Sequence, residues 1–287
     1  MAFPYGLFIA LYGVSMVVGV FLGLLVVVGW KEMSSRKTLI SARYNIVYLM
    51  ILIGMPLVTL LENIARGPSD ATKEIIYTNW IFSISGNAIK ILQDRLDYAI
   101  VADFFIIVYV WIFTYIIYFT PILILAKGDN NAFRRYSIAM LFNYVVLIPF
   151  YIFFPVSVTG FYAGAGVKPL LYMNTNWGRM VSGVDPLDND FPSAHVSLVM
   201  TTVLVLVAAG LEYRRYNYFL MISAGLITFS VLYLGVHWPA DVFAGFLLAI
   251  GATLFASSEK IDMTIDRWVR KLSARVFEDD GDTAKKA

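Results

Sequence analysis

Seven stretches of this sequence are long and apolar enough to cross a lipid bilayer, and they constrain the fold more than any other feature. A helix needs about 20 mostly apolar residues to span about 30 Å of hydrocarbon. The composition agrees, because 59% of the 287 residues are hydrophobic and only 15% are charged, against about 25% in a typical soluble domain. The sequence therefore predicts an all-α integral membrane protein, a bundle of six to seven transmembrane helices. The predicted spans are residues 6–30, 44–64, 102–126, 137–155, 194–211, 216–236 and 239–257.

The basic residues predict how this bundle is oriented. Cytoplasmic loops of membrane proteins are enriched in Lys and Arg. With seven spans, 16 of the 22 Lys and Arg residues fall in the odd-numbered loops and the C-terminal tail, and six fall in the even-numbered loops. We therefore expect the N-terminus outside and the tail in the cytoplasm.

Two compositional facts exclude other classes of function. The net charge is only +2, which gives no indication of a nucleic-acid surface. Cysteine is absent, which excludes disulfides, thiolate metal sites and thiol nucleophiles.

The chain has only two histidines, and each lies next to the start of a predicted span. His195 ends the fourth loop within the sequence PSAH, and His237 lies in the sixth loop within HWPAD. Both loops are even-numbered, so both histidines are predicted on the same face of the membrane, the extracytoplasmic one.

The residues around the histidines suit phosphoryl transfer. Asp241 follows His237 by four positions, so a shared helical face would let its carboxylate accept the Nδ1 proton and leave Nε2 as a nucleophile or base. Pro192 and Ser193 are typical of a helix N-terminus, whose free N–H groups favour a bound phosphate. The Ser193 hydroxyl adds another donor, and His195 is placed to protonate a leaving oxygen.

The position of this site predicts two cationic phosphate ligands and a class of substrate. Lys168 and Arg179 are the only two cations of the fourth loop, so they are the candidate phosphate ligands beside Ser193. The site faces the headgroup layer, which predicts a lipid phosphate ester or anhydride as the substrate. The scheme requires no metal and no other cofactor.

The motifs PSAH and HWPAD resemble the second and third signatures of the type-2 phosphatidic acid phosphatase superfamily, which read P-S-G-H and S-R-x5-H-x3-D. The resemblance covers about residues 137–257. It implies that His237 attacks phosphorus and forms a phosphohistidine, that His195 protonates the leaving group, and that Asp241 orients the nucleophile.

The sequence departs from the family pattern at two places. Val231 stands where the third motif has arginine, and the first motif, K-x6-R-P, is absent, since Lys168 and Arg179 are eleven positions apart and Met180 follows the arginine. The inositol-phosphorylceramide synthase-like branch also tends to lack the third-motif arginine, and FPSAH and YLGVHWPAD are similar to that branch. This similarity favours transfer to a lipid or sugar alcohol. Hydrolysis of a lipid phosphate or polyprenyl diphosphate stays open, as does a non-catalytic lipid-binding scaffold.

The remaining segments complete the predicted organisation. Residues 1–136 hold the N-terminal transmembrane helices and an amphipathic surface helix near 80–100, which is either a cap over the bundle or a lid that guides substrate. Residues 137–257 form the catalytic core, and 258–287 form a cytoplasmic amphipathic tail with a disordered end. The acidic residues of the fourth loop are interpreted as a solvated loop, with a divalent-cation site as the less favoured alternative; they are Asp185, Asp188 and Asp190.

Overall fold

A bundle of long helices makes up the computed structural model, which describes residues 4–30, 36–66, 71–96, 98–261, 263–269 and 271. Among these residues, five helices are long and apolar enough to cross a membrane, and a sixth span arises if the bent pair 38–44 and 46–58 counts as one. The apolar helix Ala194–Ala209 is shorter. All seven predicted apolar spans are helical, which confirms an all-α, multi-pass membrane bundle.

The helices occur in the following order along the chain. They are α1 (Tyr5–Val27), α2 (Arg36–Tyr44), α3 (Ile46–Arg66), α4 (Ala71–Ser85), α5 (Ala88–Arg95), α6 (Ala99–Lys127), α7 (Asn130–Phe153), α8 (Leu170–Met173), α9 (Thr175–Ser182), α10 (Ala194–Ala209), α11 (Arg214–Tyr233) and α12 (Pro239–Ser257). A π-helical segment, Val108–Ile112, interrupts α6.

The short helix α10 lies at the centre of the bundle and positions the site. It packs against α7, α11 and α12, and apolar side chains such as Val196, Val199 and Leu206 are fully buried. A helix enclosed in this way satisfies its backbone hydrogen bonds internally and fills the core with branched side chains.

Helix α1 packs against α6 through two glycines four positions apart. A Cβ atom at Gly19 would lie 2.9 Å from the Trp111 ring, and one at Gly23 would collide with the Tyr115 hydroxyl. Small residues at this spacing let two helices approach closely in a membrane.

The region predicted as one surface helix near 80–100 consists of two helices, α4 and α5. They are separated at Gly86, whose φ of +60° suits glycine. The break falls at Ser85-Gly86-Asn87, where a glycine between two polar residues suits a turn. The apolar stripe of the tail is helical over 263–269, where Ile265 and Val269 pack against the core. The predicted disordered end, EDDGDTAKKA at 278–287, and the preceding tail residues 272–277 lie outside the described residues.

Candidate active site

The start of α10 is fixed by Ser193, the residue that caps it. Its side chain accepts a hydrogen bond from the Val196 N–H at 3.4 Å, which satisfies one of the free donors of the first turn. Its own N–H donates to the Asp241 carbonyl at 3.1 Å. Ser193 is fully buried, so the cap joins the N-termini of α10 and α12 and places His195 in the first turn of α10.

A tight turn between α11 and α12 presents the second histidine. The Val231 carbonyl accepts hydrogen bonds from the N–H groups of both Val236, at 3.1 Å, and His237, at 2.9 Å. Gly235 has φ +71°, and a Cβ there would lie 2.5 Å from the Lys168 carbonyl oxygen. Only glycine fits this turn without strain. His237 thus precedes α12 by two residues and does not belong to it.

The long loop between α7 and α10 is hydrogen-bonded to this turn. Its Thr159 and Gly160 N–H groups donate to the carbonyls of Val236, at 3.1 Å, and Gly235, at 2.8 Å. Gln93 of α5 links the same two segments, since its amide nitrogen donates to the carbonyls of Lys168 and Tyr233 and its amide oxygen accepts from the Lys168 N–H. The α7–α10 loop and Gln93 of α5 therefore hold the His237 turn in place.

The two histidines meet at one end of the bundle. Their ring centroids are 6.1 Å apart, and the ring planes are inclined by 58°. His195 packs against two aromatic rings of α6, those of Tyr109 and Phe113, each at a centroid distance of 4.2 Å. This packing restricts the His195 ring while both imidazoles share one small space.

Two carboxylates flank His237, and the nearer one is Asp190. Its Oδ1 lies 2.8 Å from Nδ1 of His237, whereas Oδ2 of Asp241 lies 3.6 Å away. Asp241 also accepts a 2.8 Å hydrogen bond from the Trp238 N–H, which caps α12.

The interpretation of Asp190 as part of a solvated acidic loop is wrong. It is only 2% exposed, because backbone hydrogen bonds join the loop segment 187–190 to residues 156–158. The Val156 N–H donates to the Asp188 carbonyl, and the Asp190 N–H donates to the Val156 carbonyl. These bonds pull the carboxylate inward, against the imidazole.

Burial and the two neighbouring carboxylates have opposite effects on the pKa of His237. Burial lowers the pKa, but Asp190 and then Asp241 stabilise the imidazolium and together raise it from the ordinary 6.5 to about 10. His237 is 4% exposed, so water screens these interactions little. The two carboxylates therefore favour the protonated imidazole.

The same three side chains form the one cluster with metal-ligand chemistry among the described residues. The ligand atoms of Asp190, His237 and Asp241 lie within 4.8 Å of one another. Nδ1 of His237 lies 2.8 Å from the nearer carboxylate, but Nδ1, Oδ2 of Asp190 and Oδ1 of Asp241 make no hydrogen bond among the described residues.

Lys168 and Arg179, the two cations predicted to bind phosphate, lie at the surface of the protein. The side chains of Lys168 and Arg179 are both exposed. The Arg179 guanidinium lies over the ring of Tyr5 in α1, at 4.1 Å from the centroid, which is a cation–π contact. The backbone of Lys168 bonds to Gln93. The role of both cations in phosphate binding stays a prediction.

The architecture defines a class of protein, a membrane helix bundle in which one buried and one partly buried histidine meet two buried carboxylates at one end. The PAP2 superfamily profile matches residues 99–259, more than half of the chain. The chain belongs to the PAP2 superfamily, the type-2 phosphatidic acid phosphatase superfamily suggested by PSAH and HWPAD. The match begins at the first residue of α6, before the predicted core at 137–257.

A curated relative also matches, the undecaprenyl-diphosphatase of Sulfolobus acidocaldarius. It is 30% identical over 157 residues, which cover 54% of this chain and 65% of the relative. The match thus spans just under two thirds of the relative's length. This relative does not specifically indicate the inositol-phosphorylceramide synthase-like branch. No solved structure matches the chain.

Sequence reasoning missed two residues of this site, Asp190 and Tyr109. Asp190 lies two residues before PSAH, so its nearness to that motif was the available signal. Tyr109 lies in an apolar span with no motif of its own, and only the packing of α6 against α10 brings its ring to His195.

Proposed function

We propose that this protein is a membrane enzyme that cleaves a lipid phosphate or diphosphate through a phosphohistidine on His237. The arrangement of the two imidazoles carries the proposal. Rings 6.1 Å apart leave room for one phosphoryl group within about 3 Å of a nitrogen of each ring. Family membership and the diphosphatase relative support a lipid phosphate as the substrate.

The first step forms the covalent intermediate. Nε2 of His237 attacks phosphorus, a nitrogen–phosphorus bond forms, and the bond from phosphorus to the leaving oxygen breaks. His195 donates the proton that the leaving oxygen needs. Because the two carboxylates favour the protonated imidazole, the Nε2 proton of His237 passes to solvent before the attack. Asp190 keeps the Nδ1 proton in place and stabilises the positive charge of the phosphohistidine, with Asp241 as the second carboxylate.

The second step releases the phosphoryl group. His195, now neutral, accepts a proton from a water molecule, and the water oxygen attacks phosphorus as the nitrogen–phosphorus bond breaks. Inorganic phosphate leaves, His195 carries its proton again, and Nε2 of His237 takes up a proton from solvent, which restores the first state. Ser193, Lys168 and Arg179 are the proposed phosphate ligands, and the N-termini of α10 and α12 contribute positive electrostatic potential.

Transfer to a lipid or sugar alcohol is the second candidate. The observation in its favour is Val231, fully buried at the position of the third-motif arginine, a substitution shared with the synthase-like branch. An alcohol would take the place of water in the second step. The chemistry at His237 and His195 is the same in both cases.

The proposed setting follows from the sequence. The distribution of Lys and Arg supports an extracytoplasmic active site and a cytoplasmic tail. Residues 137–257 would form the catalytic core, extended by α6, and residues 1–136 would supply the N-terminal helices. Helices α4 and α5 would cover the site, since Gln93 bonds to the loops that build it.

One experiment separates these functions. Purified protein is incubated with a ³²P-labelled polyprenyl diphosphate or phosphatidate, with and without an acceptor alcohol. Labelled inorganic phosphate without acceptor supports hydrolysis, and a new labelled lipid supports transfer. An acid-labile, base-stable label on the protein, lost in His237→Ala, supports the phosphohistidine. Full turnover by His237→Ala would refute the mechanism, and no turnover with any lipid would favour the scaffold.

A further inference from the structure

Tyr109 is a buried tyrosine beside the histidine pair whose hydroxyl has no hydrogen-bond partner among the described residues. The residue is 1% exposed. Its ring stacks on His195 at 4.2 Å with an interplanar angle of 23°. The carboxylates of Asp185 and Asp190 are near enough to interact electrostatically with the phenol. A buried polar group without a partner is uncommon in folded proteins, and it is often found where a ligand supplies the partner.

The backbone of α6 is adapted at this position. Tyr109 belongs to the π-helical segment Val108–Ile112, and Phe113 follows directly. π-helical turns in α-helices occur frequently at functional sites, because the extra residue redirects side chains. Here the irregular turn contains or adjoins the two rings that pack against His195.

The chemistry of the neighbouring groups specifies what the phenol can bind. Oδ2 of Asp190 and Oδ1 of Asp241 are also buried and without partners, but they are acceptors. A phosphoryl group presents oxygen acceptors and needs donors. The third-motif arginine is replaced by Val231, and the Arg179 guanidinium lies over Tyr5 at 4.1 Å. The Tyr109 hydroxyl is a buried donor without a partner among the described residues, on a ring that stacks against His195.

We propose that the Tyr109 hydroxyl binds the phosphoryl group of the substrate by donating a hydrogen bond to a non-bridging oxygen between the two histidines. This proposal rests on the proposed function, because it places the phosphoryl group in that space. Tyr109 then contributes a donor that the missing arginine does not supply, and its ring holds His195 against the same group.

Tyr109→Phe removes the hydroxyl and keeps the stacked ring. The matched control is Tyr136→Phe, which changes another buried tyrosine, in α7. The site end of α7 is marked by Tyr151, whose hydroxyl donates to the Pro192 carbonyl. Tyr136 lies 15 residues before Tyr151, about 22 Å away along the helix. For wild type and both variants in detergent, we would measure the affinity for inorganic phosphate by calorimetry, the thermal melting temperature, and kcat/KM with a polyprenyl diphosphate.

We expect Tyr109→Phe to melt at or above the wild-type temperature, because an unpartnered buried hydroxyl is removed, and to bind phosphate about tenfold more weakly or worse. The value of kcat/KM should fall by a similar factor, and Tyr136→Phe should match wild type in both. Phosphate affinity within twofold of wild type in a folded Tyr109→Phe protein overturns the proposal. Unchanged phosphate affinity with a shifted pH profile also overturns it, since the hydroxyl would then act on Asp190.

These measurements separate this proposal from the proposed function. If Tyr109→Phe weakens phosphate binding while even the wild type releases no phosphate from any lipid, the phosphate ligand stands and the enzymatic function fails. If the wild type hydrolyses lipid and Tyr109→Phe binds phosphate and turns over normally, the function stands and Tyr109 is not a ligand.

Discussion

Replacing Asp190 by Asn tests the feature of the site that the sequence did not reveal. Asn has nearly the same volume as Asp, so the buried loop keeps its packing while the charge at 2.8 Å from His237 Nδ1 is removed. The remaining carboxylate, Asp241, lies 3.6 Å away and also caps α12. The substitution therefore isolates the electrostatic role of the nearer carboxylate.

The expected size of the effect follows from the pKa of His237, which Asp190 and Asp241 raise to about 10 against the lowering effect of burial. Loss of one adjacent opposite charge lowers a pKa by about one to three pH units. Attack requires an unprotonated Nε2, so the rise of kcat/KM with pH should move to lower pH by that amount. The maximal rate should fall by about 100-fold or more, because Asn no longer enforces the Nδ1-protonated tautomer.

Thermal stability should change with pH in a defined direction. The folded-state pKa of His237 lies above its ordinary 6.5, so its stabilising contribution is fully present below about pH 6.5 and is lost as the pH rises towards 10. Asp190→Asn removes much of this contribution. The difference in melting temperature between wild type and Asp190→Asn should be largest near pH 6 and shrink towards pH 10.

Phosphate release between pH 5 and 10.5 and thermal melting in detergent measure both effects. Asp188→Asn is the matched control, since it removes a carboxylate two positions away in the same loop and leaves the backbone bond from Val156 intact. If Asp190→Asn shows the wild-type pH profile and the wild-type dependence of melting on pH, Asp190 does not hold the imidazole and the argument fails.

Further predictions concern the proposed acid His195, the glycine of the His237 turn, the Gln93 side chain that bonds to the site loops, and helix α1. His195→Ala should slow the hydrolysis of an alkyl phosphate by about 100-fold or more. It should slow the hydrolysis of a nitrophenyl phosphate lipid far less, since nitrophenolate leaves without a proton. Equal losses in the steady-state rates of the two substrates would contradict the acid role. Gly235→Ala places a methyl group 2.5 Å from the Lys168 carbonyl oxygen at φ +71°, so the melting temperature and activity should fall together, and a wild-type melt would exclude that contact. Gln93→Ala removes three hydrogen bonds to the site loops and should lower the free energy of unfolding by about 1–3 kcal/mol, as detergent melts would show. Gly23→Leu should separate α1 from α6 and lower the melting temperature, while the activity per folded molecule, measured by phosphate release, stays unchanged.

Much of the fold was predictable because its signals are local. An apolar run of about 20 residues predicts a span wherever it occurs, and each of the seven predicted runs is helical. The helix-start residue Ser193 and the position of His195 next to it were visible for the same reason, since a cap acts within one turn of its own backbone. The motif of His237 likewise resembled the family to which the chain belongs.

Only the tertiary structure decided which groups meet these histidines. The path of the loop between α7 and α10 buries Asp190 against His237, and the π-helical turn of α6 brings the Tyr109 ring to His195. Arg179, expected near phosphate, lies over Tyr5 of α1. Each of these contacts joins residues far apart in the chain, and it depends on how loops close and helices pack. Composition, periodicity and spacing report only local preferences, so the sequence by itself determined the spans and the positions of the two histidines in them. Tertiary packing determined which side chains contact those histidines.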